Sequence, residues 1–78
     1  MMSEAYVLIK AETGSEGEVF KGLKNIAGVK EAYYSYGTYD LIAKVQAESL
    51  DKLREMIFQR IRKIGKIQST LTLIVTEE

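Results

Sequence analysis

The chain has 78 residues, of which 46% are hydrophobic and 28% charged; this favours one small folded domain and excludes a disordered chain. Cysteine and histidine are absent, which excludes disulfides, thiolate catalysis and cysteine-bound zinc, and removes the usual general base. Eleven basic residues balance eleven acidic ones, which disfavours a dedicated nucleic-acid binder. No apolar run approaches the roughly 18 residues that span a bilayer, and no signal-peptide pattern opens the chain, so we expect a cytoplasmic protein.

The first half of the chain has the pattern strand, helix, strand. Residues 5–11 are rich in β-branched and aromatic side chains, which predicts a strand. Ser15 predicts a helix N-cap, and Glu18 three positions later predicts a capping box. Gly28 is expected to end the helix in a left-handed conformation, and residues 29–36 to form a second strand. The predicted apolar face of the helix carries Val19, Phe20, Leu23 and Ile26.

The second half repeats this pattern. Gly37-Thr38 predicts a short turn, and residues 40–46 predict a third strand. Ser49 is expected to cap a second helix that Gly65 ends, and residues 67–76 to form the last strand. The predicted apolar face of this helix carries Leu50, Leu53, Ile57, Ile61 and Ile64.

Two such units joined by a hairpin predict an α+β fold in one domain spanning residues 1–78. This is the ferredoxin-like βαββαβ plait, a four-stranded antiparallel sheet with two helices on one face. The strands, however, carry apolar side chains on both of their sides. The residues opposite Val7, Ile9, Leu41, Ala43 and Val45 include Tyr6, Leu8 and Ile42, and the last strand places Leu71, Leu73 and Val75 opposite Thr70, Thr72, Ile74 and Thr76. We therefore expect a homodimer that covers the second face, the alternative being scattered exposed apolar residues on a monomer.

Four features occur in order along the chain: Gly28-Val29 before the second strand, a G-x-Y-D turn at Gly37 to Asp40, a second helix, and Ser69-Thr70-x-Thr72 running into "LIV". In this combination, nearly the whole chain resembles the effector-binding domain of the leucine-responsive (Lrp/AsnC) transcriptional regulators, also called the RAM domain.

The resemblance implies a βαββαβ domain that dimerises through its sheet, and dimers that assemble further into tetramers of dimers. It also implies an amino-acid effector, held between dimers near the G-x-Y-D turn. Full-length regulators of the family carry an N-terminal helix-turn-helix. Because the first strand starts near residue 5 here, we expect a stand-alone sensor domain with no helix-turn-helix and no direct DNA binding.

The turn has groups suited to an amino acid. Gly37 allows close approach of the backbone, and the amides of Gly37, Thr38 and Tyr39 could donate to a carboxylate. Asp40 could accept from the ammonium group. The family pattern adds hydroxyls from Ser69, Thr70 and Thr72, brought near the turn by assembly rather than within one chain. We expect no metal and no cofactor.

Simpler interpretations stay open for the same residues. Gly37 is also an ordinary turn glycine, and Asp40 also a hydrogen-bond acceptor for turn amides. The tyrosines at 33, 34, 36 and 39 suit a sheet or an interface, and Thr70 and Thr72 are good strand formers. The basic cluster after the second helix complements the helix dipole or meets an acidic partner; it comprises Arg60, Arg62, Lys63 and Lys66.

The sequence favours an amino-acid sensor that regulates transcription through ligand-dependent oligomerisation. The alternative is an interaction module that co-assembles with full-length Lrp/AsnC regulators without binding a ligand. An enzyme is not expected, because histidine and a Gly-rich phosphate loop are both missing. An RNA-binding plait is disfavoured because its aromatic signature motif is absent.

Overall fold

The computed structural model describes residues 2–75. Thr76, which the sequence analysis placed in the last strand, lies outside the described residues. The elements in chain order are β1 (Ser3–Ala11), α1 (Glu16–Lys24), β2 (Val29–Tyr34), β3 (Leu41–Ala47), α2 (Leu50–Met56), a π-helical turn that continues α2 (Ile57–Ile61), and β4 (Ile67–Val75). Within residues 2–75, no helix is long and apolar enough to cross a lipid bilayer.

The four strands form one sheet in the order β2-β3-β1-β4, with every neighbouring pair antiparallel. Helix α1 packs on β2 and β3, and α2 packs on β1 and β3. This confirms the predicted plait with both helices on one face. The buried core lies between the helices and the sheet, and all its side chains are apolar: Ala5, Val7, Ile9, Ala11, Val19, Leu23, Ile26, Leu41, Ala43, Val45, Leu53, Ile57 and Ile61.

The other side of the sheet, which we call the open face, carries an apolar row across all four strands. In that row Tyr33 pairs with Ile42, Ile42 with Leu8, and Leu8 with Leu71. Leu73 follows on β4 and is 50% exposed, with Val75 beyond it. The predicted alternation of the strands is therefore correct, and the open face is apolar along its middle.

The two predicted N-caps have different outcomes. Ser49 caps α2 as expected, because its hydroxyl accepts a hydrogen bond of 3.2 Å from the Lys52 amide. Ser15 precedes α1, but its backbone is not in the extended conformation of a typical N-cap and its side chain makes no capping bond. The predicted capping box with Glu18 is therefore wrong.

Gly28 does not adopt the left-handed conformation predicted for it, since the positive φ angles among residues 2–75 belong to Gly14, Gly37 and Lys66. Helix α1 has already ended at Lys24. The site is nevertheless tight: a Cβ at Gly28 would lie 2.5 Å from the Met56 Cε, the end of a flexible side chain, and 3.2 Å from the Gln46 carbonyl oxygen. The glycine lets the chain pass close under α2.

Replacing Gly28 by alanine is expected to destabilise the fold by about 1–3 kcal/mol, because the added methyl overpacks this contact. Removing the Met56 side chain in the same molecule should relieve part of the clash. In urea unfolding, the double variant Gly28→Ala/Met56→Ala should therefore lose less unfolding free energy than the two single variants lose together. Strict additivity would show that Met56 does not limit this site.

Helix α2 departs from the predicted regular α-helix. It changes to a π-helical turn at Ile57, where the Arg62 amide donates to the Ile57 carbonyl at 3.0 Å, five residues back. Leu53, Ile57 and Ile61 are buried as predicted, but Leu50 is 38% exposed. The wider turn keeps Ile57 and Ile61 in the core and leaves Phe58 on the surface.

Candidate functional site

The turn between β2 and β3 carries four of the seven predicted site residues. Gly37 and Thr38 are exposed, whereas Tyr39 and Asp40 are half-buried. Gly37 has a φ of +125°, in the range that favours glycine, and a Cβ there would meet nothing within 4 Å. The backbone, and not a close contact within the chain, requires glycine at this position.

Asp40 ties the turn to the central strand. Its carboxylate Oδ2 accepts a hydrogen bond of 3.0 Å from the amide of Ala11, and its own amide donates to the Ile9 carbonyl at 2.8 Å. Its carbonyl accepts from the Ser35 amide at 2.8 Å. The simpler interpretation predicts that Asp40 accepts from turn amides, but its carboxylate accepts instead from an amide of β1. Because a carboxylate accepts several hydrogen bonds, Asp40 can keep this bond and still accept from a further donor.

Replacing Gly37 by alanine should strain the turn and cost about 1–3 kcal/mol of stability, because an L side chain rarely adopts its φ angle. Gly65→Ala is the matched control, since Gly65 has no positive φ and open space around it. Thermal unfolding of the two variants should show a clear loss for the first and little change for the second. Equal melting temperatures would contradict the strain argument.

The three predicted residues on β4 do not share one side of the strand. Ser69 pairs with Lys10 and points to the open face, whereas Thr70 pairs with Ile9 and Thr72 with Val7 on the helix-facing side. Neither helix packs mainly on β4, so Thr72 stays exposed and Thr70 half-buried. The sheet geometry therefore separates Ser69 from the two threonines.

The uncovered side of β4 forms one wall of a groove, and α2 with its π-helical turn forms the other. This feature, which we call the β4 groove, has a volume of about 520 Å³. It is lined by Leu53, Arg54, Ile57, Phe58, Arg62, Thr70, Thr72 and Ile74. It combines an apolar floor with two guanidinium groups and two hydroxyls, so it can hold a small anion that carries an apolar part.

Three groove residues on the helix, Arg54, Phe58 and Arg62, were not among the predicted site residues. Arg62 was placed in the basic cluster that complements the helix dipole or meets an acidic partner. In the structure the Arg62 guanidinium lies 5.4 Å from the centre of the Phe58 ring, which is cation–π distance. The spacing of four residues between an aromatic residue and an arginine signals such a pair on a helix, but it does not show which strand the pair faces.

Within one chain, the turn and the β4 groove do not form a common site. Asp40 bonds to one side of β1 and β4 pairs with the other, so their backbones are roughly 10 Å apart, two strand spacings. The groove then runs along β4 toward Ile74, away from the turn. The expectation that the turn meets the β4 threonines through assembly stays a prediction.

The tyrosines separate between the two faces of the sheet. Tyr34 stacks on Phe20 of α1, with ring centres 4.6 Å apart, and helps to close the helix face. Tyr33 lies on the open face, where its hydroxyl donates to Glu31 at 2.5 Å; this hydrogen bond raises the Tyr33 pKa. Tyr36 is fully exposed in the turn. Tyr33 and Tyr34 therefore pack on the two faces of the sheet, as the simpler interpretation predicts.

Comparison with known proteins decides the family. The model of the Lrp/AsnC ligand binding domain matches residues 4–78. The chain belongs to this family. The Lrp/AsnC-type domain is also 42% identical over 55 residues to the regulatory protein AsnC of Escherichia coli K12, which is 70% of this chain and 36% of that protein. The chain spans well under half the length of this curated relative.

Solved structures and a further sequence relative extend this finding. The Lrp/AsnC-type domain matches the structure of FFRP-DM1 with a TM-score of 0.90 and 42% identity, over 95% of this chain and 99% of the other. A protein of Pyrococcus horikoshii called PHS023 matches with a TM-score of 0.89 and 42% identity, over 100% and 93%. Homocitrate synthase of Sulfurisphaera tokodaii is 34% identical over 76 residues, which are 96% of this chain and 16% of the enzyme.

A more distant structure shares the fold alone. The Lrp/AsnC-type domain matches the transcriptional regulator NMB0573 of Neisseria meningitidis, solved as a complex with L-Met, with a TM-score of 0.84 and 12% identity. The match covers 97% of this chain and 51% of that protein. The family model and the match to AsnC, and not this structure, place the chain with the ligand-binding domains of Lrp/AsnC regulators.

Proposed function

We propose that this domain binds a free amino acid and acts in transcriptional regulation by changing its assembly when the amino acid is bound. The β4 groove is the observation that carries the proposal. It brings Arg54, Arg62, Thr70 and Thr72 around an apolar floor, which are the groups that a carboxylate and an aliphatic chain need. The proposal assigns the chain no catalytic role and no direct DNA binding, and it places the protein in the cytoplasm.

An amino acid in the groove would meet complementary groups for its carboxylate in the same chain. Guanidinium groups bind carboxylates through two parallel hydrogen bonds, and hydrogen bonds to charged groups contribute about 1.5–3 kcal/mol each. Asp40 of a neighbouring subunit would accept from the ammonium group, and the amides of Gly37, Thr38 and Tyr39 in that subunit would donate to the carboxylate. Two or three such bonds with an apolar contact correspond to an affinity in the micromolar to millimolar range, which suits a metabolite sensor.

The open face supports assembly into a homodimer. Its apolar row crosses the whole sheet, and a soluble protein rarely leaves such a surface in water. Dimers would then associate further, up to a tetramer of dimers, with effector sites where they meet. The effector shifts this equilibrium only if it binds one assembly state more tightly than another.

The relatives make this function reasonable. NMB0573 was solved with L-Met, and AsnC is a regulatory protein. A related segment also occurs in homocitrate synthase, whose name denotes an enzyme and not a DNA-binding protein. If the related segments in a regulator and in an enzyme share one function, effector binding suits both proteins, whereas DNA binding suits only the regulator.

Isothermal titration of the purified chain with each of the twenty amino acids tests the proposal, combined with sedimentation velocity with and without the binder. We expect heat from at least one amino acid and a change in sedimentation coefficient with the same one. Absence of heat and of thermal stabilisation for all twenty would contradict amino-acid sensing. Binding without any change in sedimentation would contradict ligand-dependent assembly alone.

The second candidate function is co-assembly with full-length Lrp/AsnC regulators without a ligand. The open face favours it, because a surface that pairs with its own copy also fits the same domain in a longer family member. Co-expression with such a regulator from the source organism, followed by native mass spectrometry, tests it. Mixed oligomers from a chain that binds no amino acid would favour this function over sensing.

A further inference from the structure

The side chains of the β4 groove carry information about which amino acids it accepts. From its lining we infer that the effector is an amino acid with an uncharged, apolar side chain, and that Phe58 selects it. This inference rests on the proposed function, because it assigns the effector class of the same site.

The charge of the groove disfavours basic effectors. Arg54 and Arg62 are both in the lining, and arginine stays protonated at any physiological pH. None of the described residues that line the groove is acidic. One guanidinium can therefore bind the effector carboxylate. A lysine or arginine effector would bring a second positive charge that has no counter-ion, because the Asp40 carboxylate of the neighbouring subunit is already paired with the effector's ammonium group.

The uncharged part of the groove is apolar. Leu53 and Ile57 are buried at its base, and Ile74 and Phe58 stand at its sides with 41% and 57% of their surface exposed. A branched, thioether or aromatic side chain can cover these exposed surfaces. Alanine, with a single methyl group, covers less of these surfaces, and a hydrophobic pocket discriminates by roughly 10-fold or more for each missing methylene.

The π-helical turn places Phe58 where it can contact the side chain of an effector and so select among amino acids. The turn begins at Ile57, and its extra residue keeps Ile57 and Ile61 in the core while Phe58 remains in the groove wall. The Arg62 guanidinium lies over the Phe58 ring at 5.4 Å, which fixes the ring beside a carboxylate-binding group. Phe58 thus connects the charged part of the groove to the apolar part.

Isothermal titration with a set of effectors tests the inference. Leucine, isoleucine, methionine and phenylalanine should bind at least 10-fold more tightly than alanine, lysine or arginine. Phe58→Ala should reduce the affinity for the best binder by at least 10-fold, and Phe58→Leu should restore most of it. Arg62→Gln should weaken binding, whereas Arg60→Gln, which removes the same charge outside the groove, should not. Circular dichroism of each variant establishes that it is folded.

The outcomes separate this inference from the proposed function. If lysine or arginine binds as tightly as leucine, or if Phe58→Ala leaves affinity unchanged, the apolar class is wrong while amino-acid sensing stands. If no amino acid binds, both are wrong. Titration with 4-methyl-2-oxopentanoate, which keeps the carboxylate and side chain of leucine without its ammonium, adds a further distinction. Binding equal to that of leucine would support the apolar-carboxylate class and contradict the role proposed for Asp40.

Discussion

Leu73→Asp is expected to abolish the proposed homodimer and to leave a folded monomer. Leu73 is half exposed on the open face of the edge strand β4, beside Tyr6 of β1. In a dimer that covers this face, each copy would bury a carboxylate without a partner. Leaving a charge buried and uncompensated costs about 3–5 kcal/mol, so the dissociation constant should rise at least about 100-fold.

Sedimentation velocity over a range of concentrations measures this change. Leu50→Asp is the matched control, because Leu50 is also an exposed leucine, 38% accessible, but lies on α2 away from the open face. The control should sediment like the wild type. A Leu73→Asp protein that remains dimeric at low micromolar concentration would show that the open face is not the dimer interface.

Two replacements of Asp40 are expected to separate its structural role from its role toward an effector. Asp40→Ala removes the acceptor for the Ala11 amide, and Ala11 is only 4% exposed. An unsatisfied buried amide costs about 1–3 kcal/mol, so this variant should unfold at lower urea concentration. Asp40→Asn retains an amide oxygen that can accept the same bond, and its stability should stay close to that of the wild type.

Effector binding should respond differently. Asparagine has no negative charge, so Asp40→Asn should weaken amino-acid binding by roughly 10-fold or more if the carboxylate receives the ammonium group of an effector. Urea unfolding and isothermal titration of the same two proteins provide both measurements. An Asp40→Asn protein with wild-type stability and wild-type affinity would restrict Asp40 to the hydrogen bond with β1.

Most features that depend on residues close in the chain were predictable from the sequence, and the capping box at Ser15 and Glu18 is the exception. The order of strands and helices follows from the alternation of apolar residues at periods of about 2 and 3.6. The cap at Ser49 involves a residue only three positions away, and it was predicted correctly. The apolar open face also followed from the sequence, because alternation in a strand assigns each side chain to a side before any pairing is known.

Local sequence patterns predicted the wrong role for residues whose contacts lie in a distant part of the chain. Gly28 looked like a helix-ending glycine, yet its close neighbours are Met56 of α2 and the backbone of Gln46 on β3. Asp40 looked like a residue of its own turn, yet its carboxylate bonds to an amide 29 positions earlier. In both cases the relevant neighbour is absent from the local sequence.

The sequence by itself determined the fold class and which side chains lie on each side of a strand. It also determined the membership of the Lrp/AsnC family, which the G-x-Y-D turn and the β4 threonines suggest. The tertiary structure decided that Ser69 and the threonines lie on different faces, that the helix continues as a π-helical turn, and that Arg54, Phe58 and Arg62 face Thr70 and Thr72. The physical reason is that a groove is made by two elements whose separation depends on how both pack against the core. Periodicity assigns a side chain to a face, but only packing determines what lies opposite that face.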